Sequence, residues 1–392
     1  MQAQPHPGLP ADTVGALPVQ RESFEVPDRV AYFNTANMSP LLRSVREAGA
    51  RGIDIRAAPW EVQPQDWFTD VEVLRERAAL VFHAASDAVA LVPATSYGLA
   101  VAARNLPLQT GQRVVVLHEE YPSNYYTWQR HAARSGAEVV VVRREPGQTW
   151  SDAVLAAVDE RTAILAVPNV HWTDGALLDL TQVAPVARAV GAALVIDASQ
   201  SLGALPLDVA EIRPDFVVSV GYKWLLGPFG ISYLYVAPQH RDGEPLEENW
   251  ILRSGAENFA ALVDYTDAYL PGSRRFDVGQ RTNFGLVPMA IAALDQLLRW
   301  GVPSIAATLQ AVNASIAERA GALGLKAPEA DSRAPHMLGL ELPRESGERT
   351  LRALADAQVI ASLRGTSLRI APHLHITNSH VDRLIEALKR AL

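Results

Sequence analysis

The chain contains no cysteine. That excludes disulfides, thiolate metal sites and any reaction built on a cysteine nucleophile. Charged residues are only 20% of it and the net charge is -8. With no basic stripe, nucleic acid and anionic membrane surfaces are poor partners. No apolar run approaches the roughly 20 residues that span a bilayer. Residues 1–26, MQAQPHPGLPADTVGALPVQRESFEV, lack the basic and apolar regions of a signal peptide. They read as an extended N-terminal arm, and a cytoplasmic address is expected. His83, His118, His131, His171, His240 and His336 lie scattered, without the HExxH-type spacing of a zinc site, so no metal is expected.

What is present is a set of short, β-branched, apolar runs: AVALV (88–92), RVVVL (113–117), EVVVV (138–142), AILAV (163–167), ALVID (193–197), FVVSV (216–220) and ISYLYV (231–236). Runs of about five apolar residues without alternation suit strands buried on both faces of a parallel sheet. Segments of helical spacing, such as Thr181-QVAPVARAVGA, separate them, which predicts an α/β fold. The last two runs are too close for a helical crossover, so ISYLYV is expected to run antiparallel to its neighbours. From residue 287 the pattern changes to a long amphipathic helix, VPMAIAALDQLLRWG, then further helix, the runs HMLGLEL and SLRIAP, and a closing helix. The expected organisation is an extended arm over 1–26, a large α/β domain with a mostly parallel seven-stranded sheet over 27–286, and a small α+β domain over 287–392, with the N-terminal segment able to pack on the small domain.

Two of the apolar runs end in reactive groups. ALVIDASQ delivers Asp197 and Gln200, and FVVSVGYK delivers Lys223 in a glycine-bounded turn 26 positions later. A buried lysine and a strand-end carboxylate suit pyridoxal 5'-phosphate, with Lys223 forming the Schiff base and Asp197 facing the pyridinium nitrogen. The phosphate needs convergent donors at a helix N-terminus. Pro93-Ala94-Thr95-Ser96-Tyr97-Gly98 follows the AVALV run and opens a helix, so its amides and the hydroxyls of Thr95 and Ser96 are the candidates, with Ser219 and Tyr222 beside them.

Six segments in order resemble the class V aminotransferase group of fold type I pyridoxal-phosphate enzymes, which also holds cysteine desulfurases, kynureninase and isopenicillin N epimerase. They are YFNTANMSP from Tyr32, EEYPSNYYTWQ from 119, VIDASQSLGALPLDV from 195, GYKWLLGP from 221, RTNFG from 281 and SLRIAPHLHIT from 367. The resemblance implies that Gln200 and His171 approach the cofactor, that Tyr121 stacks on its ring, and that Thr282 reaches a phosphate across a homodimer interface. It also implies that Arg369 takes the substrate α-carboxylate, with Asn34 helping to close that pocket. The chain departs from the desulfurases in lacking their loop cysteine and in carrying Tyr222 where they have a histidine before the lysine. Trp172 or a neighbour stands where some relatives have an asparagine. The implied function is an aminotransferase acting on an amino acid. A β-eliminating lyase, an epimerase and a catalytically silent regulatory protein remain as alternatives.

Overall fold

The computed structural model describes residues 15–145 and 147–392. Residues 1–14 of the expected arm lie outside them.

Twelve strands appear in the described chain: β1 (Ala31–Tyr32), β2 (Val89–Val92), β3 (Arg113–Leu117), β4 (Glu138–Val142), β5 (Thr162–Pro168), β6 (Ala193–Asp197), β7 (Phe216–Val220), β8 (Ser232–Val236), β9 (Leu338–Glu341), β10 (Val359–Ile360), β11 (Ser362–Arg364) and β12 (Ser367–Ile370). Strands β2 to β8 coincide with the seven apolar runs and make one sheet in the order β2-β8-β7-β6-β5-β3-β4. All neighbours are parallel except β8, which pairs antiparallel with both β2 and β7. Its inversion follows from the eleven-residue connection after β7, which is too short for a crossover helix. β2, β7 and β8 are buried at every position, as expected of strands covered on both faces.

The helices bring their N-termini to the carboxyl ends of the parallel strands, the side on which open α/β sheets bind ligands. The helix Thr95–Asn105 lies close on the sheet because Gly98 has no side chain. A Cβ there would come within 2.6 Å of the Val218 side chain. The turn after β7 is closed by Gly221 N–H on the Ile231 carbonyl (2.9 Å) and Gly227 N–H on the Gly221 carbonyl (2.8 Å). Gly221 also cannot carry a Cβ, which would sit 2.6 Å from the Ile231 oxygen.

A second apolar core forms around β9, β12 and the helices Val302–Gly321 and Asn378–Ala391. Ala31 and Phe33 belong to it, because β1 pairs in parallel with β10 and Asn34 bridges to Ala371. The helix Leu286–Trp300, at whose start the domain division was expected, packs its apolar face into the larger core instead. Of the expected arm, the described residues 15–26 are docked: Gln20 N–H bonds the Leu374 carbonyl at 2.8 Å, and the fully buried Phe24 ring stacks on Trp300. The apolar side chain explains the docking of this segment, since leaving a phenyl ring in water forfeits about 2 kcal/mol. Among the described residues, no helix is long and apolar enough to cross a membrane.

Candidate active site

Segments following β2, β3, β5, β6 and β7 converge on one concave cavity at the carboxyl ends of the strands, the usual place for a small molecule in such a sheet. Asp197 is the last residue of β6 and is buried. One carboxylate oxygen, Oδ1, accepts the Ser199 N–H at 3.0 Å. Burial raises its carboxyl above the usual range, while Ser199 and the Lys223 ammonium pull the other way. A carboxylate in this position is short of a cation.

Lys223 sits in the glycine-closed turn and is 7% exposed. Burial lowers its ammonium to about 8; Asp197 opposes this, and the nearby Arg369 and Arg364 reinforce it. Its Nζ lies 5.5 Å from the Tyr121 ring centroid and 5.9 Å from that of Tyr222. Tyr121 stands edge-on to Trp172, with ring centroids 5.5 Å apart, and both line the cavity. Tyr222 packs against Phe229, and its carbonyl accepts the Ser39 N–H at 3.0 Å.

At the opposite end, Pro93, Ala94, Thr95 and Ser96 line the cavity. The Thr95–Asn105 helix begins after Ala94, which offers no side-chain cap, so its first N–H groups stand available to an anion. Thr95 Oγ1 bonds Ser199 Oγ at 3.0 Å, linking the helix start to the Asp197 loop. The donor set therefore has an anion cradle at one end, a buried carboxylate at the other, an aromatic face and a buried amine. That set fits a phosphate-bearing aromatic ring with a cationic nitrogen.

The remaining residues singled out from the sequence fall in three places. Gln200 lines the cavity, but its amide is engaged: Nε2 donates to the Ala36 carbonyl at 3.0 Å and Oε1 accepts from Trp224 Nε1 at 3.0 Å. His171 is absent from the cavity wall. Its Nε2 meets the His118 carbonyl at 3.0 Å, its Nδ1 meets Thr173 Oγ1 at 2.8 Å, and it stacks on Trp150. Ser219 points its hydroxyl at the Ala198 and Val220 carbonyls, away from the wall. Thr282 lies elsewhere, with its hydroxyl on the Trp67 carbonyl in a concavity lined by Trp67, Trp250 and Phe284.

Arg369, in β12, is 1% exposed. Its Nη1 donates to the Trp172 carbonyl at 2.7 Å, while Nε has no partner. Burial lowers it to about 10, with Arg364 adding to the effect. The Arg369 ion pairs that would offset this are missing among the described residues, although Tyr32 and Tyr121 oppose the shift. The Asn34 Oδ1 is likewise buried without a partner.

Two charged residues were not read from the sequence. Arg364, beside the β11–β12 turn, places its guanidinium carbon 5.7 Å from the Trp172 ring centroid. Glu120 lines the cavity directly before Tyr121, inside a segment whose resemblance was noted, yet no pattern in that segment marked it as buried.

Residues 64–365 match the family described as aminotransferase class-V. Over 319 residues the chain is 29% identical to an uncharacterized aminotransferase, YcbU, of Bacillus subtilis (strain 168), covering 81% of this chain and 82% of that protein. It is 26% identical over 387 residues to isopenicillin N epimerase of Streptomyces clavuligerus, covering 92% and 94%. Among solved structures, a C-DES mutant with glycine covalently linked to its PLP cofactor has the same fold, with a TM-score of 0.84 at 18% identity over 95% of this chain and 99% of that one. The family match spans most of the chain, including the segments that carry Asp197 and Lys223, and the chain belongs to the class V aminotransferases.

Proposed function

We propose that this class V, pyridoxal-phosphate-dependent enzyme is an aminotransferase of an α-amino acid, with Lys223 as its proton carrier. The observation that carries the reading is the buried Lys223 amine, lowered to about 8 and placed between a cation-seeking Asp197 and the buried guanidinium of Arg369. Bound in the cavity, pyridoxal phosphate supplies an aldehyde for amine exchange and a cationic ring that draws electrons from the substrate Cα.

The protein's own groups do the rest. The start of the Thr95–Asn105 helix and the Thr95 and Ser96 hydroxyls hold the phosphate. Asp197 pairs with the ring nitrogen, and Tyr121 and Tyr222 border the ring. Arg369 pairs with the α-carboxylate of the substrate, which supplies the anion its guanidinium lacks. The Lys223 amine would accept the substrate Cα proton, hold it, and give it back. With a basicity near neutrality it is competent in both directions.

The reading includes a homodimer and a cytoplasmic address. Thr282 lies outside its own chain's cavity, next to the 40%-exposed Trp250 and 68%-exposed Ile53, an apolar surface suited to a second copy. Sedimentation of the holoenzyme checks the dimer.

The activity test is a visible spectrum of the holoenzyme during single turnover with a panel of amino acids. The cofactor band should be absent from Lys223→Ala. A transaminase loses the band on adding an amino acid, releases the keto acid and regains the band with a second keto acid. Release of a side-chain fragment would make the enzyme a lyase, and Cα exchange with loss of optical activity would make it an epimerase.

A further inference from the structure

The mechanism above leaves one buried acid unused. Glu120 is 7% exposed and lines the cavity alongside Asp197, Tyr121 and Lys223. Its Oε1 accepts the Tyr121 N–H at 2.8 Å, while Oε2 is buried without a hydrogen-bond partner. A buried carboxylate oxygen with no donor is expensive, whereas a protonated carboxyl brings its own hydrogen and waits for an acceptor.

The backbone is built to hold it there. Glu119 has φ of 56°, a left-handed conformation that costs a residue with a side chain on the order of 1 kcal/mol. Trp172 Nε1 clamps the Glu119 carbonyl at 2.7 Å, and His171 Nε2 clamps the His118 carbonyl at 3.0 Å. Both clamps come from the loop after β5. The turn they secure swings Glu120 in at the end of β3, and such maintained strain is characteristic of functional positions.

The titratable groups facing Glu120 are Asp197 at the end of β6 and His171 in the loop after β5. Two carboxylates in one wall repel, and the Lys223 ammonium that faces Asp197 offsets this only in part, so a proton is retained on Glu120 until a further cation arrives. We propose that Glu120 is the proton-holding acid of this site: it stands as a carboxylic acid beside Asp197 in the cofactor-free protein and releases its proton to water when a cationic ring seats against Asp197. This rests on the cofactor reading above. Burial first, and then Asp197, push the carboxyl up to about 7, which agrees with a group that exchanges its proton in the neutral range. Asn124, whose side chain anchors Trp128 Nε1 at 2.7 Å, lies on the same helix as the Tyr121 turn and steadies the segment.

Pyridoxine 5'-phosphate tests this without turnover, because its alcohol cannot bond to Lys223. Its affinity for the cofactor-free protein is followed by tryptophan fluorescence from pH 5 to 8, and proton release by calorimetry in buffers of different ionisation enthalpy. The wild type should bind more tightly as pH rises to about 7 and release a proton, by about tenfold for each unit that binding lowers the Glu120 pKa. Glu120→Gln should lack that increment and that proton. Ionisation of the ligand's own phosphate is common to both proteins and cancels. Difference infrared spectroscopy of the wild type gives an independent reading: a protonated-carboxyl stretch should disappear on binding. Equal proton release in the two proteins, or no carboxyl band lost in the wild type, overturns the proposal. Failure of the wild type to bind the ligand at all overturns the cofactor reading along with it.

Discussion

At the scale of single residues, the site is organised by cations and anions that lack partners. Arg369 is buried with one edge of its guanidinium free, so removing it should be read in substrate capture. Arg369→Lys keeps the charge but loses the two parallel bonds of a guanidinium. It should lower kcat/KM by about 100-fold, consistent with about 3 kcal/mol for truncating a buried charge pair, with the visible cofactor band unchanged. Lys223 offers a second check. Below a value of about 8 its amine is protonated and unreactive, so cofactor capture by the cofactor-free protein should rise about tenfold per pH unit up to about 8 and then level off. Stopped-flow absorbance measures it. The product is easily located, since Lys223, Lys326 and Lys389 are the only lysines in the chain and the last two are exposed. Lys223 and Asp197 were legible because each ends an apolar run, and strand ends are where open sheets place ligands. Glu120 was not. Its burial depends on a left-handed Glu119 and on clamps from a loop some 50 residues later, and a local pattern records neither.

At the scale of elements, the seven central strands could be read directly: burial on both faces writes a nearly uninterrupted apolar run in six of them, and the edge strand β4 keeps a run of valines although only Val142 is buried. The connections that hold them in register are polar and were less visible. Arg75 is fully buried and makes a two-pronged pair with Asp277, at 2.9 and 2.7 Å. Asp277 also accepts from Arg281 at 2.6 Å and from the Leu91 N–H at 2.8 Å. The network thereby ties the helix Thr69–Phe82 to β2 and to the segment that carries Thr282. The Arg75 and Arg281 charges hold the Asp277 carboxyl below the ordinary range despite its burial. Asp277→Ala would leave the buried Arg281 guanidinium without its carboxylate and Arg75 with only the partly exposed Glu72. A loss of about 3–5 kcal/mol in unfolding free energy is expected, measured by denaturant titration, with binding of pyridoxine 5'-phosphate to the folded fraction retained.

At the scale of the whole molecule, a cluster of uncharged histidines lies where the two cores meet. His373 packs among Phe24, Trp224 and Trp300, His336 lies 4.4 Å from the Trp224 ring, and His375 lies 5.0 Å from Phe24. Burial lowers His336 and His375 to about 4 and His373 well below the ordinary value of 6.5. Unfolding lets all three take up protons below pH 6.5, so their contribution to stability is complete above that pH and drains away towards pH 4. His336 and His375 can each contribute on the order of 3 kcal/mol, and His373 acts in the same direction. Glu120, between its unfolded value of 4.5 and about 7, works in the opposite sense, as do the raised carboxyls of Asp197 and Asp70, while His380, lowered to about 4, and the lowered carboxyls of Glu72, Asp174, Asp215 and Asp277 add to the histidines. Thermal unfolding should therefore fall steeply from pH 6.5 to 4, and His373→Leu should flatten the slope. The sequence suggests that the N-terminal segment packs on the residues from 287 onward, but it does not name the partners of Phe24, which lie more than 270 positions away. The pairing of β1 with β10 is similarly remote, Ala31 meeting Val359. During synthesis, residues 31–39, which reach the Lys223 turn through Ser39, have no strand partner until residues 359–371 have left the ribosome. The seven-stranded sheet can form earlier, but the catalytic turn gains its last support only when almost the whole chain has emerged.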